Sequence, residues 1–311
     1  ATPPITVARR LLLSSSRRLS TASKPASAAA TWSLLLSESK KALETSGPTS
    51  LGFRLLPLIE RHVLNHGSLA EGLSATLGAK LNAGEAAGAD GEPLIDYQRL
   101  IGDAYTAKPE MADAAAADLE RALVLDPAAD GYLKIYLFFK GFHCVQCARV
   151  SNYYWHLPGG SGRWLASAIQ SEMSNVFGVD IHPAAQWGRG ITMDHGTGCV
   201  IGETAVIGDN VYIMHDVTLG ATGTSTDHNR HPKIGKGVFL AAKCTVLGNI
   251  VVGENAVVGA HALVNKAVPP GYMAVGVPAK ILPGSKKPKV SPSGALFPEH
   301  LTSSAPFMGG L

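Results

Sequence analysis

Three short stretches of this 311-residue chain carry side chains of the kinds that move protons and hold small charged molecules. Asp180 stands two residues before His182, Asp194 directly precedes His195, and Asn229, Arg230 and His231 are consecutive. A histidine beside a carboxylate is the minimum equipment for general base catalysis. The carboxylate orients the ring and stabilises the imidazolium formed when a proton is taken. Most histidines in turns are simply solvated, and His62, His66, His156, His261 and His300 are read that way. His195 is read as chemical, because it lies in Met193-Asp194-His195-Gly196-Thr197-Gly198, at a corner of a repeat and among charged neighbours.

The elements that must position these residues show in the spacing of the aliphatic side chains. Between residues 179 and 268 one returns at every sixth position. The first anchors are Ile181, Trp187 and Met193, followed by a two-residue slip around Cys199 and Val200. Then come Ile201, Ile207, Ile213 and Leu219, and after them Ile234, Leu240, Val246, Val252, Val258 and Val264. Four positions after an anchor the residue is usually small or β-branched, as at Ala185, Thr197, Ala205, Val211, Val217, Cys244, Ala256 and Ala262. A period of six is neither that of an amphipathic helix nor that of a flat strand. It is that of a hexapeptide solenoid, in which three short strands close one triangular coil and the next coil stacks at about 4.8 Å. The alternative, short strands of a β-sandwich, does not account for so regular a spacing. Residues 221–233 interrupt the period and are expected to project as a loop, a usual place for chemistry on a rigid scaffold.

Residues 31–178 read as a helical domain. Apolar residues at three and four spacing mark helices over Trp32–Leu43, Leu51–His66, Leu69–Leu81, Leu94–Ala107 and Pro109–Leu125. Asp126-Pro127 stops one helix, the next is expected from Asp130 to His156, and Pro158 to Gly162 form a loop before a last helix over Arg163–Phe177. This domain would cap one end of the coils, which an open stack of strands would leave exposed. Residues 179–282 form the solenoid domain. Residues 283–311, rich in Pro, Ser, Gly and Lys, read as a flexible tail. Residues 1–30 hold Arg9, Arg10, Arg17, Arg18 and Lys24 with no acid, the composition of an organelle transit peptide. Composition does not separate a chloroplast from a mitochondrial address.

With 46% hydrophobic residues and a mean hydropathy of +0.12 the chain can bury a full core. Its apolar stretches fall short of the roughly 18 residues that a membrane span needs. The formal charge of +3 rests on the leader; without it the rest is mildly acidic, which argues against a nucleic-acid partner. Cys144, Cys147, Cys199 and Cys244 are too scattered for a secreted disulfide framework. The pair Cys144 and Cys147, in an apolar helical run, reads as two buried thiols.

At these residues the sequence resembles the serine O-acetyltransferases of the hexapeptide-repeat acyltransferase superfamily. The resemblance runs over about residues 50–285 and is carried by GFHCVQCARV, VDIHPAAQWGRGITMDHGTG, IGETAVIGDNV, VTLGATG, RHPKIGKGV and GVPAK. It implies an α+β chain whose helical domain leads into a left-handed parallel β-helix. It also implies trimers with sites between neighbouring subunits, often paired into hexamers. By position, His195 resembles the general base that deprotonates the L-serine hydroxyl, and Asp180 its orienting carboxylate. Arg230 and His231 match the residues that hold the substrate carboxylate, and Asp194 and Asp126 those that receive the ammonium. Acetyl-CoA, a co-substrate rather than a resident cofactor, would lie near Ala221, Thr222 and Ala242, with no metal. The product would be O-acetyl-L-serine for cysteine biosynthesis, with L-cysteine as a feedback inhibitor.

The chain has Gly220-Ala221-Thr222-Gly223 where the family usually has Gly-Gly-Thr-Gly. It ends in Phe307-Met308-Gly309-Gly310-Leu311, whereas members that dock an O-acetylserine (thiol)-lyase end in Ile after an acidic tail. Three other readings stand beside this one. A γ-type carbonic anhydrase would place zinc among His195, His228 and His231, though it leaves the cation Arg230 and the acid Asp194 without a role. Another acetyltransferase of the superfamily would act on a sugar or an antibiotic. A catalytically inactive solenoid subunit would be expected to lack the base, which His195 supplies.

Overall fold

The computed structural model describes residues 27–44, 54–83, 94–223 and 227–284, with the backbone of 288–290 and 296–298. The expected leader therefore lies almost wholly outside the described residues. So does most of the tail, whose two short described strands pair with each other. Among the described residues no helix is long and apolar enough to cross a membrane.

The helical part comprises α1 (Ala28–Glu44), α2 (Leu56–Ile59, running into a π-helical turn Glu60–Leu64), α3 (Leu69–Asn82), α4 (Tyr97–Ala107), α5 (Glu110–Leu125), α6 (Tyr132–Phe138), α7 (Lys140–Trp155) and α8 (Ser161–Phe177). Local chemistry sets several ends. The Ser68 hydroxyl accepts from the Glu71 N–H at 3.3 Å as the N-cap of α3, and the Glu71 carboxylate accepts from the Gly67 N–H one residue ahead of the cap at 2.9 Å. Asp96 caps α4, and Gly178, at φ 67°, ends α8 in the left-handed conformation that glycine adopts without strain.

The single helix expected from Asp130 to His156 is in fact two. Phe139 is extended (φ −81°, ψ 103°), so the chain breaks between α6 and α7. Packing gives the reason: Gly141 lies so close to the Met193 carbonyl that a Cβ there would sit 1.9 Å from the oxygen. The break aims the first turn of α7 at the coils. The apolar pattern continues across it, so spacing alone could not reveal it. The loop expected through Gly162 is also shorter, since α8 begins at Ser161.

The coils are a left-handed β-helix with three parallel faces. The first face holds β1 (Asp180–Ile181), β4 (Val200–Ile201), β7 (Thr218–Gly220), β10 (Thr245–Leu247) and β13 (Leu263–Val264). The second holds β2 (Gln186–Trp187), β5 (Val206–Ile207), β8 (Lys233–Ile234) and β11 (Val251–Val252). The third holds β3 (Thr192–Met193), β6 (Tyr212–Ile213), β9 (Phe239–Leu240), β12 (Val257–Val258) and β14 (Met273–Val275), closed by antiparallel β15 (Lys280–Leu282). Anchors pair with anchors, Ile181 with Ile201 and Ile201 with Leu219, so each aliphatic side chain stacks inside the prism. Burying each stabilises the fold by roughly 1.5–3 kcal/mol.

Two expected inward positions differ. Trp187 is only half-buried, because the narrow prism has no room for an indole. Thr197 is exposed, and Cys199 takes its inward place, fully buried. The two-residue slip is the cause: it lengthens one turn, and the extra residues leave the prism at a corner instead of distorting its interior.

A buried ion pair joins the two parts. The Arg149 guanidinium donates to both oxygens of Asp118, at 2.5 and 3.2 Å, and to the Gly188 carbonyl at 2.7 Å. Asp118 also accepts from the Ile191 N–H at 2.7 Å. One end of each side chain is thus committed to the helical domain and the other to the first coil.

The four cysteines are free and buried. Burial pushes the Cys147 thiol up to about 12, which suits packing rather than thiolate chemistry. His62, read from sequence as solvated, is instead buried under α3, its Nδ1 3.2 Å from the Thr76 hydroxyl. Burial lowers its pKa to about 4 and that of His143 to about 3. Both groups are held neutral in the fold, while an unfolded chain protonates them near 6.5. Their contribution is fully present above pH about 6.5 and is lost as pH falls toward 4. Urea melts should therefore show stability declining over that window, and His143→Phe should flatten the decline. An unchanged slope in the variant would exclude His143 as a cause.

Candidate active site

The strand order sorts the polar residues onto two corners, one on either side of the first face. The corner between the third and first faces carries residues 194–199, 214–217, 241–244 and 259–262. The corner between the first and second faces carries 182–185, 202–205 and the long loop 221–232.

At the third–first corner the lengthened turn pushes His195 outward, at φ 60° and with its side chain 70% exposed. Its Nε2 lies 3.6 Å from the Asp194 carboxylate, and its ring packs edge-on against His215 with centroids 5.6 Å apart. Tyr212 donates from its hydroxyl to the other Asp194 oxygen at 3.0 Å. Burial raises the Tyr212 phenol and Asp194 raises it further, so Tyr212 stays a donor and fixes that carboxylate. Behind the turn lies a cavity of about 330 Å³, lined by Asp126, Lys140, Asp194, His195 and Thr197 among others. Its size suits a molecule of a few heavy atoms, and the Asp126 and Asp194 carboxylates in its lining suit a cation.

At the first–second corner Arg230 and Glu203 form an ion pair at 3.5 Å, and His228 approaches the same carboxylate at 4.0 Å. Thr204 anchors the loop: its hydroxyl accepts from the N–H groups of Arg230 and His231 at 3.1 and 3.0 Å and lies 3.0 Å from His231 Nδ1. Its own N–H donates to that nitrogen at 3.1 Å, which leaves Nε2 of His231 to carry the proton. A Cβ on Gly202 would come within 2.0 Å of the His231 ring, so the glycine makes room for it. Lys233 donates to Asn229 Oδ1 at 2.7 Å and to the His231 carbonyl at 2.9 Å. His182 and His231 are both lowered, first by burial; the Arg230 charge adds to this in both.

The structure thus brings Asp126, Asp194 and His195 together, as the sequence reading requires. It places Asp180 elsewhere: its carboxylate accepts from Gln170 at 2.8 Å and belongs electrostatically with His182 at the other corner. Within one chain the proposed base and its orienting carboxylate are therefore apart. Arg230 and His231 are together but far round the coil from His195. The residues expected near acetyl-CoA divide the same way, Ala242 beside His195's column and Ala221 with Thr222 at the root of the loop. Sequence reasoning missed Glu203, Thr204, Tyr212, His215, Lys140 and Lys233. Glu203 and Thr204 occupy an ordinary hexapeptide turn, and nothing local distinguishes them.

Comparison with known proteins comes to one result. Residues 32–147 match the family described as "Serine acetyltransferase, N-terminal", and residues 231–266 match the "Bacterial transferase hexapeptide (six repeats)" family. A serine acetyltransferase of Salmonella typhimurium is 44% identical over 230 residues, covering 73% of this chain and 81% of that protein. The structure of soybean serine acetyltransferase complexed with serine superposes with a TM-score of 0.73 at 41% identity, over 83% of this chain and 100% of that one. A serine acetyltransferase in complex with CoA gives a TM-score of 0.71 at 37% identity, over 81% of this chain and 98% of that one. One in complex with cysteine gives 0.73 at 37% identity, over 82% and 93%.

Proposed function

This chain belongs to the serine acetyltransferase family, and from that we propose that it moves the acetyl group of acetyl-CoA onto the hydroxyl of L-serine, releasing O-acetyl-L-serine and CoA. The observation that carries the reading is the Asp194–His195 pair standing over a small acidic cavity, with the carboxylate-binding pair Arg230 and His231 on the opposite edge of the same face. Asp126 and Asp194 receive the serine ammonium. His195 takes the hydroxyl proton as the serine oxygen attacks the thioester carbonyl. Collapse of the tetrahedral adduct breaks the C–S bond, and the proton on His195 passes to the departing CoA sulfur. Arg230 and His231 hold the serine carboxylate, the planar guanidinium as a fork. A zinc site would need His195 with His228 and His231, which stand at different corners, the latter two beside the Arg230 cation.

Assays of CoA thiol release test the reading. Release should depend on L-serine and should not be faster with a sugar acceptor. No thiol released with serine overturns it.

The separation of the two clusters is resolved by a second copy of the chain. If the first face turns toward a threefold axis, the first–second corner of one copy meets the third–first corner of the next, and a closed ring forms. Beyond Asp180, the outward residues of that face are Val200, Thr218, Gly220, Thr245, Leu247 and Leu263, all uncharged, with Val200 40% exposed. Asp180, Arg230 and His231 of one subunit then face Asp126, Asp194 and His195 of its neighbour, and acetyl-CoA lies in the groove between Ala242 and the Ala221–Thr222 turn. The second wall also excludes water from the thioester. Mixed trimers of His195→Ala and Arg230→Ala chains should regain part of the activity that each variant lacks alone. Confirmed mixed trimers with no recovery would place the site within one chain.

L-Cysteine differs from L-serine by a thiol in place of the hydroxyl, so the same Arg230 and Asp194 contacts accept it. Inhibition by cysteine should be competitive with serine, with the apparent KM for serine rising and kcat unchanged. Inhibition that saturating serine cannot relieve would point to a separate site.

A further inference from the structure

We propose that Lys140 is a positioning residue for the His195 turn, acting through the Thr197 hydroxyl. The inference rests on the activity proposed above and gives a role to Lys140, a residue of the cavity lining. His195, Gly196 and Gly198 have φ values of 60°, 76° and 76°, so three of the five residues from Asp194 to Gly198 lie in the left-handed region. Asp216, Lys243 and His261 on the same corner share the sign of the His195 φ, at 55°, 62° and 58°, so what sets the His195 turn apart is its extra length and its two left-handed glycines, which leave more backbone to be held in place. Within the coils the turn is tied by its backbone. Gly196 N–H donates to the Asp194 carbonyl at 2.7 Å, Gly198 N–H to the Gly178 carbonyl at 2.7 Å, and Asp216 N–H to the Thr197 carbonyl at 2.8 Å.

From the helical domain the turn receives a side-chain bond: the Lys140 ammonium donates to the Thr197 hydroxyl. The break at Phe139 makes this bond available, because it starts α7 at Lys140 and presses Gly141 against the Met193 carbonyl. Gly196 closes the contact from the other side, since a Cβ there would lie 2.9 Å from the Met193 sulfur. Lys140 lines the same cavity as Asp126, Asp194 and His195. It therefore fixes the far end of the turn, two residues beyond the base, while Tyr212 fixes the near end through Asp194. The serine carboxylate and ammonium are held by other groups, so the bond governs the placement of the base rather than the occupancy of the site.

The test compares Lys140→Met, Thr197→Val, the double variant and Lys140→Arg in the full-length protein. A charged hydrogen bond of this kind corresponds to roughly 10- to 100-fold in rate. The two single variants should lose that factor in kcat, with KM for serine and for acetyl-CoA little changed. The double variant should be no worse than the singles, because both remove one interaction. Lys140→Arg, which keeps a cationic donor, should recover most of the rate. Thr197 is exposed, so Thr197→Val should melt with the parent protein and separates a placement effect from general destabilisation. Undiminished kcat in Thr197→Val, losses that multiply in the double variant, or a rise in KM in place of a fall in kcat would each overturn the proposal. Absence of serine acetylation by the parent protein would instead overturn the functional reading beneath it.

Discussion

Replacing His195 by Ala is expected to lower kcat by about 10²- to 10⁴-fold, the usual worth of a positioned general base. The serine hydroxyl is a weak nucleophile until its proton is taken, and on the third–first corner the His195 side chain is 70% exposed and lines the cavity. Asp194 is turned toward Tyr212, and His215 lies behind the His195 ring. KM for serine should change little, because the ammonium and carboxylate contacts belong to other residues. Asp180→Asn should cost less than His195→Ala, since it removes an orienting charge and leaves the base in place. Steady-state kinetics of thiol release decide the matter. A His195→Ala protein with near-parental kcat would show that another group takes the proton.

Asp118→Ala is expected to destabilise the fold by about 3–5 kcal/mol, the range for a buried ion pair that loses one partner. Arg149 would stay beneath the coils with side-chain exposure of 7% and no anion, while the Ile191 N–H would lose its acceptor. The urea midpoint should fall accordingly. A paired replacement, Asp118→Leu with Arg149→Met, should recover much of the loss, because two apolar side chains remove the uncompensated charge. Equal destabilisation by the single and paired variants would show that geometry at the junction, and not the buried charge, is what the pair provides. Asp118 itself lines the cavity, so activity per folded molecule is the companion measurement.

Much of the architecture was legible in the chain itself. A six-residue return of Ile, Leu and Val has a single inexpensive solution, a narrow prism with one aliphatic side chain inward per strand. The slip between Met193 and Ile201 marked in advance the turn that carries His195. The caps at Ser68 and Asp96 and the stop at Gly178 are local features too, yet apolar spacing alone did not reveal them and started the helix that Asp96 caps at Leu94 instead of Tyr97. The Asp194–His195 dipeptide pointed to a base, since that chemistry depends on adjacent side chains, whereas the carboxylate grip at Arg230–His231 came from the family resemblance.

Relations between segments distant in sequence were decided only by the tertiary structure. The break at Phe139 comes from the contact of Gly141 with Met193, about which the helical apolar pattern carries no information. Thr197 left the interior and Cys199 entered it because the prism keeps its width and expels the extra residues. His62, polar and near a helix end, was drawn inside by its place beneath α3, where its neighbours are set by packing. Most consequentially, the order of strands around the coil placed Arg230 on one edge of the first face and His195 on the other, with Asp180 on the face between them. The sequence by itself determined which side chains are present and which local turns display them. The fold determined which of them meet, because the interior of a coil is written in a repeating local pattern, while the distance between two corners is set by how many strands the chain passes before it turns again.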